Sequence, residues 1–341
     1  MQSSYTDFLK RSLIFVAVAL VPVLVWYLFD VILIAFGAII VAMLLWLGAE
    51  PLMRWLGLRQ GIALALSGIL ILMILGAIAV VFGTRVAIQL QDVFERTASG
   101  ASGIEQTLRQ SEWGSLALNH ITGSSFSLTE ILGSFLRISS SVLEAVVIAV
   151  ISGIYLAAQP RLYLDGLIQL FPPKTHARAA ERLEAIGNAL RLWLIGQLVQ
   201  MAIIGTLAMV ALWLIGVPSA LALGLIAAIG EFVPYVGPIV AAVPAILVAT
   251  TVDSGAALWT AAAYLAINQI EGHLVIPLIQ RYLVFIPPAV ILLGIVAITD
   301  LFGPASFVFA APLSVVIFIA IKVIYVRDTL GEETKIPGQS S

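Results

Sequence analysis

The chain has 341 residues, of which 61% are hydrophobic and 11% charged, with a formal net charge of −2 and no cysteine. A soluble domain carries about 25% charged residues, so this chain has too few to cover a water-facing surface, and we expect it in a lipid bilayer. The balanced charge excludes the clustered basic surface that nucleic acid needs, and the absence of cysteine excludes disulfides, thiol catalysis and cysteine-ligated zinc.

Long apolar runs predict six transmembrane helices. Each has the roughly 17–25 residues that a helix needs to cross a hydrocarbon core of ~30 Å. No small-residue cleavage site follows the first run, so we interpret it as a membrane helix and not as a signal peptide. The predicted helices are 13–29, 31–47, 62–84, 142–158, 193–215 and 256–279.

The distribution of basic residues predicts the orientation in the membrane. Lysine and arginine collect in the cytoplasmic loops of membrane proteins. With the N-terminus inside, most of the 17 basic residues lie on or near the cytoplasmic side. The exceptions are Arg85, Arg96, Arg109 and Arg137. We therefore expect both termini to be cytoplasmic.

Two polar segments interrupt the apolar pattern. Segment 85–141 contains many serines and glycines, and apolar residues stand at helical spacing near its start. It predicts external amphipathic helices or arms that make subunit contacts or act as a lid. In segment 160–191, apolar residues recur every three or four positions after a Pro-Pro pair. This spacing predicts a cytoplasmic amphipathic helix on the membrane surface.

The sequence Gly-Glu-Phe-Val-Pro-Tyr-Val-Gly-Pro at 230–238 predicts a break inside the membrane. Two prolines and two glycines within this run cannot continue a helix. The flanking helices, 220–232 and 239–250, reach about 18–20 Å and are too short to span the bilayer. The sequence therefore predicts a re-entrant hairpin whose tip is buried in protein or lines a watery cavity. The expected tip residues are Pro234, Tyr235, Gly237 and Pro238.

A second stretch repeats this design, because residues 218–232 align without gaps on 288–302 and a Gly-Pro pair follows in both. The expected residues of the second tip are Asp300, Gly303 and Pro304. A full helix with amide side chains precedes each hairpin, and these amides are Gln197 and Gln200, then Asn268 and Gln269. We take one full helix and the hairpin after it as a unit. Because the hairpin returns to the side from which it starts, each unit crosses the membrane once, and the second unit is inverted relative to the first. This pattern is typical of secondary transporters with a site near the bilayer midplane.

These elements predict an all-α polytopic membrane protein with two re-entrant hairpins that form an inverted repeat in the C-terminal part. The predicted segments are three N-terminal transmembrane helices (1–84), an external amphipathic segment (85–141), a fourth transmembrane helix with a cytoplasmic amphipathic helix (142–192), the inverted-repeat transport core (193–326) and a cytoplasmic tail (327–341).

Ionisable side chains are rare in the transport core, so each one is informative. A carboxylate at the bilayer centre costs ~2.5–3.5 kcal/mol on insertion scales and normally faces a bundle interior or a cavity. Glu231 could bind a cation, a proton or a substrate hydroxyl, or it could be a structural group that hydrogen-bonds to the amides of the tip. Glu271 could act in transport or be a buried partner of His273 or Arg281. The candidates for binding substrate or a coupling ion are Glu231, Tyr235, Gln197, Gln200, Asn268, Gln269 and Glu271.

Motifs of other chemistries are absent from the sequence. There is no Gly-x-Ser-x-Gly elbow, no His-Glu-x-x-His pair and no Walker-type loop. The histidines His120, His176 and His273 are too scattered to indicate a metal site. We therefore expect neither enzyme activity nor a metal or cofactor.

Several short motifs carry a resemblance that covers nearly the whole chain. They are Gly196-Gln197, Gly216-Val217-Pro218, the run from Phe232 to Pro238, the run from Asn268 to Gly272 with Pro277, Pro287-Pro288 and Ala311-Pro312-Leu313. These motifs resemble the bacterial autoinducer-2 exporter family of inner-membrane permeases. The resemblance implies export of a small polar molecule, with the quorum-sensing polyol autoinducer-2 as the name-giving substrate. It also implies a homo-oligomer, with a pentamer as one form.

The resemblance leaves the substrate and the coupling ion open. Some relatives are assigned sodium or lithium/proton antiport. Family members often have an aliphatic residue at the position of Glu231, so this carboxylate could mark a subgroup with a different ligand or coupling ion.

Together these observations predict a secondary transporter that exports a small polar solute, similar to autoinducer-2, across the inner membrane by alternating access and is driven by a gradient of protons or sodium ions. One alternative is a sodium or lithium/proton antiporter in which Glu231 and Glu271 bind the ions. The other is a passive oligomeric channel, through which no ion gradient drives uphill flux.

Overall fold

A computed structural model describes residues 26–73, 140–280 and 286–332, together with residues 20, 23, 76, 92–93 and 95–97. This part of the chain contains helices and turns and no strand. Most of the predicted first helix, the end of the predicted third helix, most of segment 85–141, Arg281 and the end of the tail lie outside it. The helices are α1 (Phe29–Leu56), α2 (Gln60–Met73), α3 (Ser140–Ala158), α4 (Pro160–Gln169), α5 (His176–Ile215), α6 (Ala220–Gly230), α7 (Val236–Thr250), α8 (Ser254–Ile270), α9 (Ile276–Gln280), α10 (Pro288–Phe302) and α11 (Phe307–Ala320).

Among the described residues, four helical segments are long and apolar enough to cross a membrane, or five if the bent pair α3 and α4 counts as one span. The four are Phe29–Leu56, Pro173–Ile215, Ser254–Ile279 and Phe307–Arg327. For the described residues, these helices confirm the prediction of an all-helical protein with several membrane spans. Helices α6, α7 and α10 have 11, 15 and 15 residues, so each is shorter than a ~30 Å core requires.

Helix α5 differs from the sequence prediction. A separate surface helix within 160–191 was expected before a transmembrane helix at 193–215, whereas residues 176–215 form one uninterrupted helix of 40 residues. At about 1.5 Å per residue it is ~60 Å long, twice the hydrocarbon thickness. No proline falls inside it, and its glycines are tolerated because a single glycine weakens a helix by only about 1 kcal/mol.

The described residues form two compact units. The first contains residues up to Gly68, Ser140–Leu167 and Val296–Phe309. Its helices α1 and α3 approach closely because Gly153 faces α1, where an added Cβ would lie 2.7 Å from Val41. Trp46 strengthens this contact by donating its indole N–H to the carbonyl of Ala157 at 3.1 Å. Small residues at helix contacts are what close packing in a membrane requires.

The second unit contains α5 to α9 and holds the largest described apolar core. Helices α5 and α6 pack at backbone distance: a Cβ on Gly205 would lie 2.5 Å from Ala228, and a Cβ on Gly224 would lie 2.5 Å from Met209. Helix α7 folds back on α6, since Gly237 faces the carbonyl of Gly230. Alanines make most of the inner surface of this helical hairpin, namely Ala222, Ala227, Ala241, Ala245 and Ala249.

The two Gly-Pro pairs of the expected repeat have different roles. Gly237 lies in the first turn of α7, where the close approach of Gly230 leaves no room for a side chain. Gly303 forms the break between α10 and α11 with φ of +84°, a conformation that favours glycine. The helix after this second break continues through a π-helical turn to Arg327 and is long enough to span. The inverted repeat and the re-entrant arrangement therefore stay predictions.

The open end of the α6 and α7 hairpin is held by a helical turn from the segment before residue 100. The hydroxyl of Ser219, which precedes α6, donates to Asp92 Oδ2 at 2.8 Å. Arg96 pairs with Asp92 at 2.7 Å and donates to the hydroxyl of Thr251, which follows α7, at 3.2 Å. We call these four residues the clamp, because they join both ends of the hairpin. Val93 and Thr97 of the same turn are buried.

The charge of Asp92 is favoured by its partners. Burial raises the pKa of Asp92, but hydrogen bonds from Arg96 and Ser219 and the positive charge of Arg96 outweigh burial, so this pKa lies below its usual value. The folded-state pKa is therefore depressed, and the stabilisation from Asp92 is present above the unfolded-state pKa. It is lost only as the pH falls through the lowered pKa.

The substitution Asp92→Asn tests the clamp. Because the pair of Asp92 and Arg96 is partly exposed, the global unfolding free energy should fall by only about 0–1 kcal/mol. Hydrogen exchange at residues 219–222 and 250–252 should nevertheless become several-fold faster, since both ends of the hairpin lose a tether.

Asp253→Asn is the matched control for the clamp. Asp253 caps α8 by accepting from the backbone N–H of Ala256 at 2.6 Å and is not a clamp residue. This variant should speed exchange at the start of α8 and leave residues 219–222 unchanged. Equal exchange in Asp92→Asn and wild type would show that the clamp does not hold the hairpin.

Candidate functional site

Two glutamates meet inside the second unit. Glu231 directly follows α6 and Glu271 directly follows α8, and their side chains are 0% and 4% exposed. The amide Nε2 of Gln200, on α5, donates to Oε1 of each glutamate at 2.8 Å. Both carboxyl groups are thus bound to one nitrogen atom. We call Glu231 and Glu271 the carboxylate pair.

The tip between α6 and α7, residues 231–235, fixes the position of Glu231. Gln197 donates its amide to the backbone carbonyl of Glu231. Phe232 packs edge-on against Trp193 of α5, with ring centroids 6.1 Å apart. Tyr235 has a φ of +67°, an unusual conformation for a non-glycine residue that costs of order 1–3 kcal/mol. The tip is therefore fastened to α5 at Glu231 and at Phe232, and its backbone is strained at Tyr235.

A local irregularity also positions Glu271. Residues Glu271–Val275 form a π-helical turn between α8 and α9. Pro277 follows, and a proline inside a helix removes a backbone donor and clashes with the preceding turn. Single π-helical turns inside α-helices are frequent at functional sites. Glu271 is buried at the start of this turn while Gly272, His273 and Leu274 are exposed.

A small cavity lies next to the carboxylate pair. Its volume is about 60 Å³, which is room for a few water molecules. Gln197 and Gln200 line it, so the same amides that bind the tip and the carboxylates also face the cavity. The remaining lining residues are Trp193, Gly196, Pro234, Tyr235, Ile276, Ile279, Ile286 and Ile291. The cavity thus has the mostly apolar lining with a few convergent polar groups of a ligand site, but its volume is well below the roughly 300–1,000 Å³ of a small-molecule pocket.

The carboxylate pair has unused binding capacity. In the part of the chain that the structure describes, no N–H or hydroxyl group donates to Oε2 of Glu231 or Oε2 of Glu271, and the two carboxyl groups are close enough to hydrogen-bond to each other through a shared proton. Two buried carboxylates this close repel each other unless a proton or a cation lies between them. The arrangement can therefore bind a proton or a single small cation, while Gln200 donates to Oε1 of both glutamates.

Comparison of the whole sequence with known protein families gives a match that covers the motifs quoted in the sequence analysis. A family model described as AI-2E family transporter matches residues 13–326. The chain belongs to the AI-2E family of transporters. This membership confirms the resemblance read from the motifs, and it agrees with a multi-pass membrane protein that is not an enzyme.

Two bacterial relatives illustrate the extent of this AI-2E family similarity. "Putative transport protein YrrI" of Bacillus subtilis is 29% identical over 163 residues, which are 48% of this chain and 46% of the relative, so the match spans about half of each. "Putative transport protein" of Thermotoga maritima is 25% identical over 249 residues, which are 72% of this chain and 76% of the relative.

Five of the predicted site residues of this AI-2E family member come together. Gln197, Gln200 and Tyr235 line the cavity, and Glu231 and Glu271 bind Gln200. Asn268 and Gln269 do not join them, since both side chains are exposed. The buried face of α8 runs through Thr260, Tyr264 and Ile267 to Glu271, and residues 268 and 269 are turned away from it by the helical repeat.

The predicted tip residues are divided in the same way. Pro234 lines the cavity, and Gly237 and Pro238 are buried in the first turn of α7. Asp300 is exposed in the last turn of α10, so it is not at the break, which falls at Gly303. Pro304 begins a short 3₁₀ turn, in which Ser306 donates to the carbonyl of Gly303 at 2.7 Å.

Sequence reasoning missed Trp193 and the four isoleucines of the cavity. Trp193 stands four residues before Gln197 and seven before Gln200, which places all three on one face of α5. That spacing was a usable signal. The isoleucines gave none, because isoleucine is common throughout an apolar chain.

The contact between Gly230 and Gly237 gives a direct test of the tip. A Cβ on Gly237 would overlap the carbonyl oxygen of Gly230, and backbone atoms on both sides must move to admit it. Gly237→Ala should lower the thermal unfolding midpoint in detergent, at a cost of about 1–3 kcal/mol for overpacking. Gly272→Ala, where a Cβ meets nothing within 4 Å, should leave the midpoint unchanged or raise it slightly. Equal midpoints for the two variants would contradict this close contact.

Proposed function

We propose that this chain is an ion-coupled secondary transporter that exports a small polar solute of the autoinducer-2 kind across the bacterial inner membrane by alternating access. In this proposal both termini are cytoplasmic, and the carboxylate pair binds the coupling proton or sodium ion. The observation that carries it is the bridge from Gln200 to two buried glutamates. Ionisable residues inside a membrane core normally serve transport or proton relay, because their burial is costly.

The one-sided position of the cavity supports alternating access. Its residues Ile276 and Ile279 follow Glu271 along the chain, and Trp193 precedes Gln200 on α5, which runs in the opposite direction. Beyond the carboxylate pair, toward the start of α8, the second unit is filled by its apolar core. A cavity on one side of the carboxylate pair and a packed apolar core on the other would fit one state of an alternating-access cycle.

The short helices of the hairpin support a re-entrant element as the gate. Helices α6 and α7 would reach only about 17 and 22 Å, and they fold back on each other at Gly230 and Gly237. Non-helical backbone at the tip would be tolerated in a membrane because α5 contacts it through Gln197 and Trp193. We also propose homo-oligomeric assembly, with the pentamer implied by the resemblance.

A sodium or lithium/proton antiporter is the second candidate, and the size of the cavity favours it. About 60 Å³ accommodates water or an ion more readily than an organic solute, so the carboxylate pair would itself carry the transported ions. In this case flux of sodium or lithium against protons would need no organic molecule.

Flux measurements with purified protein in proteoliposomes test both candidates. We expect a proton or sodium gradient to drive uphill accumulation of a polyol such as autoinducer-2 by the wild type, and this accumulation should fall at least tenfold in Glu231→Gln and Glu271→Gln. Glu184→Gln is the matched control, because Glu184 is exposed on the N-terminal half of α5. It should transport normally.

Three results would redirect or overturn the assignment. Sodium/proton exchange without any organic solute would favour the antiporter. Flux that no gradient drives uphill would indicate a passive channel. Unchanged coupling in both Glu231→Gln and Glu271→Gln would remove the carboxylate pair from the mechanism.

Gln200→Met tests the bridge separately, since methionine has a similar length but cannot donate a hydrogen bond. Hydrogen bonds to charged groups contribute about 1.5–3 kcal/mol each, so losing two should change the ion concentration for half-maximal transport at least tenfold. The concentration dependence of transport would be measured for protons and for sodium. Gln169→Met, at the exposed end of α4, is the control. An unchanged half-maximal concentration would show that Gln200 does not organise ion binding.

A further inference from the structure

Helix α8 carries a line of buried polar groups that leads away from the cavity. Thr260, Tyr264 and Glu271 lie within a narrow stripe of the helix surface, since they are four and seven residues apart. Thr260 is 0% exposed and Tyr264 is 6% exposed. From Thr260 to Glu271 the helix rises about 16 Å, which is half of the hydrocarbon thickness. The stripe therefore connects the carboxylate pair with the region where α8 begins.

The two hydroxyl groups of this stripe make no hydrogen bond to the described residues. Thr260 Oγ1 and Tyr264 Oη are buried and have no hydrogen-bond partner in the described part of the chain. Thr206 and Ser314, which are also on helices, donate to the carbonyl four residues earlier at 2.7 Å. Thr260 does not make this common bond. A buried polar group without a partner costs about 1–3 kcal/mol, so these hydroxyls destabilise the state described here.

Tyr264 lies in the apolar core of the second unit, in one cluster with alanines of both hairpin helices, Ala227 of α6 and Ala241 and Ala245 of α7. Alanine side chains offer no hydrogen-bond partner. Because the hydroxyl of Tyr264 makes no hydrogen bond among the described residues, this core can separate without breaking a polar interaction of Tyr264. If water or a polar solute entered, both hydroxyls would gain the partners that they lack now.

We propose that Thr260 and Tyr264 line the second half of the transport path, on the opposite side of the carboxylate pair from the cavity. This half is closed here by the α6 and α7 hairpin and opens when the hairpin moves away from α8. Uncharged hydroxyls exchange hydrogen bonds with water and with neutral hydroxylated solutes, so the path suits a polyol better than an ionic substrate. The proposal rests on the alternating-access function given above and adds the residues and solute class of the second half.

Cysteine accessibility tests this path directly, because the chain has no native cysteine. Thr260→Cys and Tyr264→Cys would be exposed, in proteoliposomes, to a charged, membrane-impermeant thiosulfonate from the side where α8 begins. We expect labelling that increases at least several-fold when transport is driven by an ion gradient and the solute. Leu258→Cys and Leu265→Cys are the controls, since these side chains are 72% and 65% exposed on the outer surface of α8 and would face lipid. Both should stay unlabelled by a charged reagent.

Conservative variants add a functional readout. Thr260→Val and Tyr264→Phe remove an unpartnered hydroxyl, so the thermal unfolding midpoint should stay the same or rise, while solute transport should fall at least tenfold. A purely structural role would predict unchanged transport. Wild-type transport in both variants would overturn the proposal, as would cysteines at 260 and 264 that stay unlabelled during turnover.

The labelling result is independent of ion coupling. Labelled cysteines at 260 and 264, with flux that no gradient drives uphill, would support the path while overturning the proposed coupling. Unlabelled cysteines with gradient-driven transport would overturn the path and leave the proposed function standing.

Discussion

Two carboxyl groups buried around one amide nitrogen impose the main constraint on this structure. Taking a carboxylate out of water costs several kcal/mol unless it is paired or hydrogen-bonded. Gln200 supplies one hydrogen bond to each glutamate, and no described N–H or hydroxyl group donates to the second oxygen of each. Three separate helices must therefore meet to within hydrogen-bond distance at this point. A bundle that only needed to be stable would have apolar side chains here.

The backbone is irregular at the two places that present the carboxylates. Tyr235, with positive φ, ends the tip that carries Glu231, and the π-helical turn begins at Glu271. Each irregularity costs free energy that regular helices would avoid. Both are held by their neighbours: the tip by Gln197 and Trp193, and the turn by the helices before and after it. Ser219 of the clamp also has a positive φ, so backbone strain is not confined to the carboxylate pair, but two irregularities beside one polar site are consistent with a role in binding.

The sequence singled out both glutamates for a physical reason, although it did not predict that they lie together. Charges are so rare in the C-terminal half that Glu231 and Glu271 stand out, and Pro/Gly breaks mark the tip beside Glu231. The sequence grouped Asn268 and Gln269 with them, whereas both are exposed in the structure, because a membrane helix is apolar on all sides and its sequence does not reveal which face is buried. The two Gly-Pro pairs show a related limit. The same Gly-Pro sequence allows close packing of two helices at Gly237 and a positive φ at Gly303. Only the backbone geometry distinguishes these two roles.

The packing of the second unit indicates which contact opens in the proposed cycle. Helices α5 and α6 interlock at Gly205 and Gly224, where the backbones touch and cannot slide without a clash. The tip is fastened to α5 as well, so α6 and α5 should move as one body. Tyr264 of α8 shares an apolar cluster with alanines of the hairpin, and its hydroxyl makes no hydrogen bond to the described residues. At the far end the clamp joins the start of α6 to the end of α7, which keeps the hairpin intact while it moves. Opening between α8 and the hairpin would leave the contacts of the tip with α5 intact, and it would break the hydrogen bond from Gln200 to Glu271. It would also expose the carboxylate pair from its second side, because Glu271 lies on the same face of α8 as Tyr264.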